Sequence, residues 1–219
     1  MELSEFLDYL IQINGSEPQR LPPLKQLSKK LGVGVSLLRE QLEVAKAIGL
    51  VDVRPRHGIQ TRPYNFSPAV NLSLSFALQK HPPYFEDFLD LRRNLESAYL
   101  PQSIETLQKE DFSKFSALIA SAWEKLRGKP VRIPHQEHRQ LHLLIYHRLE
   151  NPFVTGLLVA YWDAYEAVGL NVYADLEYLE EVWGYHQRLI AAIEAGNVQL
   201  SQQLLNEHFD LLMDRLVSR

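Results

Sequence analysis

The spacing of hydrophobic positions divides the chain into two parts that are built differently. In the first sixty residues, apolar positions three or four apart predict three short helices, over residues 6–11, 24–31 and 38–48. Two β-rich segments, 50–54 and 59–61, follow, and a Pro-Arg-His-Gly turn joins them. A helix-turn-helix followed by a hairpin predicts a winged helix-turn-helix fold.

The second part carries longer amphipathic patterns and no convincing strand. These patterns predict about six helices, over residues 85–100, 111–126, 135–149, 152–168, 176–195 and 198–217. The predicted fold class is therefore mainly α, with a winged helix-turn-helix over residues 1–66 and an all-α helical bundle over residues 67–219. Pro63 and Pro68 restrain the backbone of the linker at this junction.

Composition narrows the classes of protein that fit. The 219 residues are 46% hydrophobic and 23% charged, as in folded domains rather than disordered chains. The absence of cysteine excludes disulfides, thiolate zinc sites and cysteine nucleophiles. No apolar run approaches the roughly 20 residues that span a bilayer, and the N-terminus lacks a signal-peptide pattern. We expect a cytoplasmic protein with no membrane association.

The charge is unevenly distributed. Nine basic and three acidic residues lie between Arg20 and Arg62, whereas the whole chain has a net charge of −4. A basic module on an acidic body favours a nucleic-acid partner, here double-stranded DNA, with a helix in the major groove and the wing beside it. The candidate DNA-binding residues are Lys25, Ser36, Arg39, Arg54, Arg56, His57 and Gly58. Two alternatives stay open, an Arg39–Glu43 ion pair and a wing turn that is merely solvated.

The histidines suggest metal chemistry in the bundle. His138 and His142 lie four residues apart on one predicted helix, and His186 and His208 lie on two later helices. Such a set can close on a divalent ion inside a helical bundle, and neutral imidazoles suit zinc or nickel. His135, three residues before His138, is an alternative ligand.

Several motifs resemble a known family. Segments 21–33, 36–42 and 49–58 are similar to the GntR-type winged helix, and the bundle resembles the FadR-like effector domain called FCD. The FCD spacings are an asparagine nine residues after His142, and a glycine ten residues after His186 with a histidine twelve further on. Segment 91–96 resembles the arginine-containing first helix of that domain.

This resemblance implies a homodimeric bacterial transcription regulator that binds a near-palindromic operator and responds to a small metabolite, usually a carboxylic acid. It also implies the metal ligands, which are His138, His142, His186 and His208. Arg92 would be the partner of an effector carboxylate, because a guanidinium matches a carboxylate bidentately.

The sequence departs from the family pattern at three places, one of which is Pro23-Leu24-Lys25, where relatives usually read Ser-Glu-Arg. His138 stands where relatives usually have a metal-binding aspartate, and Val35 stands where many carry a base-contacting arginine. We therefore expect an operator unlike the family consensus. A six-coordinate metal would keep two open positions for water or a carboxylate, whereas a tetrahedral zinc would be saturated and purely structural.

Two other functions compete with a metal-binding regulator. One is a metal-dependent enzyme on the helical bundle, and the other is a metal-free dimerisation scaffold attached to a DNA-binding head. Glu137 and Glu207 each precede a histidine, but adjacent helical residues point about 100° apart, so neither is placed as a general base. We expect that the protein is not an enzyme.

Overall fold

The computed structural model describes residues 2–13, 17–169 and 175–217, which form ten helices and one two-stranded sheet. The chain divides into two compact units, Met1–Phe76 and Ala77–Arg219. The mainly α class predicted from the sequence is confirmed, with a winged helix-turn-helix followed by a helical domain. None of the described helices combines the length and apolar character that crossing a membrane requires.

The first unit has the element order of a winged helix. Its elements are α1 (Glu5–Gln12), α2 (Leu24–Leu31), α3 (Val35–Ala47), β1 (Val51–Arg54) and β2 (Gly58–Thr61). The hydroxyl of Ser4 caps α1 by accepting from the Leu7 amide. The strands pair antiparallel, with Val51 opposite Thr61 and Arg54 opposite Gly58.

Local chemistry explains the turn between α2 and α3. Gly32 ends α2 with a φ of 69°, a left-handed conformation that favours glycine. The Ser28 hydroxyl donates to the carbonyl of Val33 and so holds the turn against α2. The apolar face of α3 joins a core with α1, α2 and both strands, which leaves the opposite face of α3 to solvent.

Seven helices follow the wing among the described residues, and the two compact units divide inside the first of them. They are α4 (Ser67–Lys80), α5 (Tyr84–Thr106), α6 (Lys109–Arg127), α7 (His135–Tyr146), α8 (Pro152–Ala167), α9 (Leu176–Glu194) and α10 (Val198–Val217). Helices α5, α7 and α8 pack on one another, and α10 packs on both α9 and α5. Large aromatic side chains, among them Trp162, Trp183 and Phe209, fill the interior that these helices enclose.

Helix α4 was not among the six predicted helices. Its apolar residues Val70, Leu72, Leu74, Phe76 and Leu78 alternate with small or polar ones, a period of two that does not mark one face of a helix. The helix starts at the first residue of the predicted second domain, while the two compact units divide inside it. A functional domain boundary at residue 66 therefore stays a prediction.

Candidate metal centre and nucleic-acid interface

Four histidines from three helices come together inside the helical domain. They are His138 and His142 on α7, His186 on α9 and His208 on α10. One ring nitrogen from each lies within 4.8 Å of the others. The i, i+4 pair on α7 follows from helical spacing, whereas its meeting with α9 and α10 depends on how the helices pack.

The interior keeps these rings neutral. His142, His186 and His208 are buried, and His138 is partly buried with a fully buried Nε2. Burial lowers the pKa of all four imidazoles, because a charged ring loses its hydration inside the protein. Each ring therefore keeps a lone pair at neutral pH, the form in which histidine binds a metal.

Several ring nitrogens lack the partners that a buried polar atom needs. His138 Nε2, His186 Nδ1 and His208 Nδ1 have no hydrogen-bond partner among the described residues. A buried nitrogen without a partner carries a free-energy cost, and a ligand shared by the four rings would remove that cost for each of these nitrogens that faces it. His142 Nε2 and His186 Nε2 lie 3.1 Å apart. Two nitrogens on one tetrahedral zinc would lie about 3.3 Å apart, so the donor set fits a metal ion.

A buried carboxylate supports the cluster from α5. Glu96 is fully buried, and its Oε2 accepts a hydrogen bond of 2.8 Å from His142 Nδ1. Burial alone would raise the pKa of Glu96, but Arg92 and His142 lower it to about 2. Sequence reasoning did not assign a role to Glu96. The available signal was its i, i+4 spacing from Arg92, which places the two on one helical face.

Arg92 lies beside this cluster rather than in solvent. Its side chain is 2% exposed and its Nε donates to Glu96 Oε1 at 2.5 Å. The rings of Tyr161, Trp162 and Phe209 lie within 4.9 Å of the guanidinium carbon. Its Nη2 is buried and has no hydrogen-bond partner in the described part of the chain.

The first unit presents the predicted DNA-contacting face. Ser36 and Arg39 are exposed on α3, and Lys25 is exposed in the first turn of α2. Glu43 pairs with Lys46 at 2.5 Å. The described residues contain no Arg39–Glu43 ion pair, so the guanidinium of Arg39 is free to reach a base or a phosphate.

The wing carries its cations at the turn between β1 and β2. Arg56, with a φ of 66°, and His57 are exposed at the tip, and Gly58 follows with a φ of 75°. Arg54 is exposed, and its Nε donates to Asp52 at 2.6 Å, so a wing turn that is merely solvated stays an open alternative.

Arg20 is a wing residue that sequence reasoning missed. It forms a backbone bridge with Gln60 on β2, and the Leu21 amide donates to the Ile59 carbonyl. Its guanidinium lies at Gly58, where an added Cβ would be 3.6 Å from Arg20 Nε. The sequence shows a basic residue here, but its pairing with a strand forty residues away has no local signal.

The family model for the FCD domain matches residues 87–211, more than half of the chain. The chain belongs to the FCD domain family. The "Uxu operon transcriptional regulator" of Escherichia coli (strain K12) is 22% identical over 215 residues, which cover 96% of this chain and 83% of that protein. The GntR-type FCD regulator predicted from the motifs is thereby confirmed.

Solved structures share the fold across nearly the whole chain. "Streptococcus agalactiae GntR" superposes with a TM-score of 0.70 at 17% identity, covering 94% of each chain. "E. coli McbR/YncC" superposes with a TM-score of 0.50 at 18% identity, covering 99% of each chain. These similarities show that a winged helix joined to a helical domain recurs in both proteins.

Within the FCD domain, two of the family-spaced residues have structural roles. The Asn151 side chain accepts from the amides of Phe153 and Val154, and so caps α8. Gly196 follows α9 with a φ of 68°. His135 does not join the four-histidine group. It lies 2.8 Å from Glu166 Oε1 and stacks on Tyr165.

The two glutamates that precede histidines in the FCD domain are engaged elsewhere. Glu137 accepts from Ser121 and from Lys125, and Glu207 accepts from Gln203. Neither hydrogen-bonds to a ring of the cluster within the described residues. A general base at the cluster would have to be Glu96, whose low pKa and pairing with Arg92 make it a poor proton acceptor.

Proposed function

We propose that this protein is a ligand-responsive transcription regulator that binds double-stranded DNA as a homodimer. In this proposal the FCD domain holds a divalent metal, zinc or nickel, and a small carboxylate effector. One observation carries it: an exposed α3 with a basic wing occurs in the same chain as a buried group of four neutral imidazoles. The regulatory part is supported by a relative named as a transcriptional regulator, which matches over 96% of this chain.

DNA recognition would use the exposed half of α3. Ser36 and Arg39 would reach base edges in the major groove. The basic residues around them would bind phosphates and fix the register of the helix, and Gly58 would permit the sharp wing turn. These residues are Arg20, Lys25, Arg54, Arg56 and His57.

The four histidines would hold the metal. A divalent ion bound there would supply positive charge that neutral imidazoles do not cancel, and so would attract an anion. Arg92 supports an anionic effector, because its Nη2 is buried beside the cluster without a partner. An effector that binds one arrangement of the bundle better than another would shift the population and so alter DNA binding.

The DNA-binding part is tested by selecting duplexes from a random-sequence pool with the purified full-length protein. The selected duplex is then titrated in gel shifts from 50 to 300 mM salt. We expect a steep loss of affinity with salt, because bound phosphates release counterions. Arg39→Ala should weaken binding and relax the selected sequence, whereas Arg188→Ala, an exposed arginine of the helical domain, should not. Failure to enrich any sequence, with affinity that ignores salt, would contradict the proposal.

The metal and effector parts need separate measurements. Elemental analysis of protein purified without chelator or nickel column distinguishes the metal-binding regulator from a metal-free scaffold. Thermal shift with a panel of carboxylic acids, on metal-loaded wild type and on Arg92→Gln, tests the effector. We expect stabilisation of the wild type that the variant loses. Equal stabilisation of both would remove Arg92 from the effector site.

A further inference from the structure

We propose that Glu96 is a positioning residue for the metal centre, and that it acts by fixing which nitrogen of His142 carries the proton. This inference rests on the proposed metal binding and deepens it. Within the described residues, Glu96 is the carboxylate that hydrogen-bonds to a ring of the four-histidine group. Neither the sequence motifs nor the comparisons assign it a role.

The first step concerns the proton of a neutral imidazole, which sits on either Nδ1 or Nε2. A carboxylate 2.8 Å from His142 Nδ1 accepts a hydrogen bond and so holds the proton there. The lone pair is then on Nε2, the atom that faces His186. Glu96 therefore selects the tautomer that can bind a metal.

The second step concerns what would happen without this carboxylate. His142 Nε2 and His186 Nε2 are separated by 3.1 Å, which is a hydrogen-bonding distance. A proton on His142 Nε2 would donate to His186 Nε2, and this one bond would remove the lone pairs of both nitrogens from a metal. By keeping the proton on Nδ1, Glu96 excludes His142 as the donor, so a lone pair stays on His142 Nε2 and a bond between the two rings could form only with His186 Nε2 as the donor.

The third step concerns how Glu96 itself is held. Its Oε1 accepts from Arg92 Nε, and its backbone carbonyl accepts from the Tyr146 hydroxyl at 2.9 Å. Tyr146 lies one turn beyond His142 on α7, so this bond ties the Glu96 turn of α5 to the helix that carries the ligand. Arg92 is in turn packed against three aromatic rings. Such outer-shell partners orient ligand rings in metal sites.

The experiment compares Glu96→Gln and Glu96→Leu with the wild type. A glutamine keeps one side-chain carbonyl, for which His142 Nδ1–H and Arg92 Nε–H compete, whereas leucine keeps none. The affinity of the full-length protein for Zn²⁺ is measured by competition with a chromophoric chelator. We expect Glu96→Leu to weaken zinc binding about 10- to 100-fold and Glu96→Gln to recover part of that loss. Asp111→Asn, which alters a buried carboxylate paired with Arg148, is the matched control and should bind zinc like the wild type.

The tautomer gives a second readout that needs no metal. Long-range proton–nitrogen correlation spectra of the metal-free protein should show His142 protonated on Nδ1 in the wild type and on Nε2 in Glu96→Leu. Glu96→Leu leaves Arg92 as an unpaired buried charge, which can prevent folding. In that case the double variant Arg92→Leu/Glu96→Leu, which removes both charges, takes the place of Glu96→Leu in each measurement.

The outcomes separate the two proposals. Wild-type protein that does not bind zinc would overturn the metal proposal itself. Wild-type protein that binds zinc, with the acceptor-free variant within twofold in affinity and unchanged in tautomer, would overturn the role of Glu96 and leave metal binding intact.

Discussion

His142 and His186 face each other with their Nε2 atoms 3.1 Å apart. Burial lowers the pKa of both rings, so both are uncharged at neutral pH. Their helices, α7 and α9, are separated by all of α8 in the sequence, so this contact is made by packing alone. Two neutral imidazoles gain little from meeting edge to edge in a dry interior unless a proton or a metal ion lies between them.

We expect the double variant His142→Ala/His186→Ala to lose bound metal. Removal of two of four imidazoles leaves too few ligands for a stable zinc or nickel site. Metal per protein chain, measured by elemental analysis after dialysis against zinc, should fall from near one to near zero. His81→Ala, which alters an exposed histidine, should retain the wild-type ratio. An unchanged ratio in the double variant would reject this ligand set.

We expect the stability of the metal-free protein to fall as the pH drops below about 6.5. The four cluster histidines have lowered pKa values when folded, whereas in the unfolded chain they titrate near 6.5. The unfolded chain therefore binds more protons, and acid favours it. The free energy of unfolding falls by at most about 1.4 kcal/mol per pH unit for each histidine that stays neutral in the folded protein. Glu96 contributes only at lower pH, because its pKa moves from 4.5 to about 2 on folding.

Urea unfolding between pH 8 and pH 5 measures this dependence. His142→Ala/His186→Ala, which removes two of these histidines, should show a shallower decline. A free energy of unfolding that stays constant across the range would contradict the burial of neutral rings.

We expect Arg20→Ala to weaken DNA binding about equally for all sequences. Arg20 lies at Gly58 on the wing, where its guanidinium would reach a phosphate rather than a base edge. The slope of log affinity against log salt should decrease by about one, because one fewer counterion is released. The control Arg188→Ala should keep the wild-type slope. A change in the selected sequence instead of the slope would make Arg20 a base-reading residue.

We expect Asn151→Ala to lower stability without affecting metal content. The Asn151 side chain accepts two backbone amides at the start of α8, and loss of such a cap costs about 0.5–2 kcal/mol. For a chain of this length that corresponds to a melting temperature lower by roughly 2–4 °C per kcal/mol. Asn151→Asp, which can still cap, should remain near the wild type. Loss of metal in Asn151→Ala would instead connect this residue to the cluster.

The spacing of apolar residues predicted most helices and both strands, because that spacing reports on the structure of neighbouring residues. The three short helices and the hairpin of the first part depend on interactions within a few residues, and the structure contains each of them. Helix α4 escaped prediction for the same reason. Its alternating apolar residues show no single helical face, so the 3.6-residue period that indicates the other helices is absent from it.

The sequence by itself determined the two-part fold, the basic winged head and the histidine pair one helical turn apart, because each depends on periodicity along the chain. Tertiary structure alone decided that Glu96 would orient His142 from 46 residues away and that Arg20 would lie on the wing. Contacts of this kind depend on which helix faces meet when the apolar interior closes. No spacing along the chain specifies those meetings, and only the packed interior brings the groups within hydrogen-bonding distance.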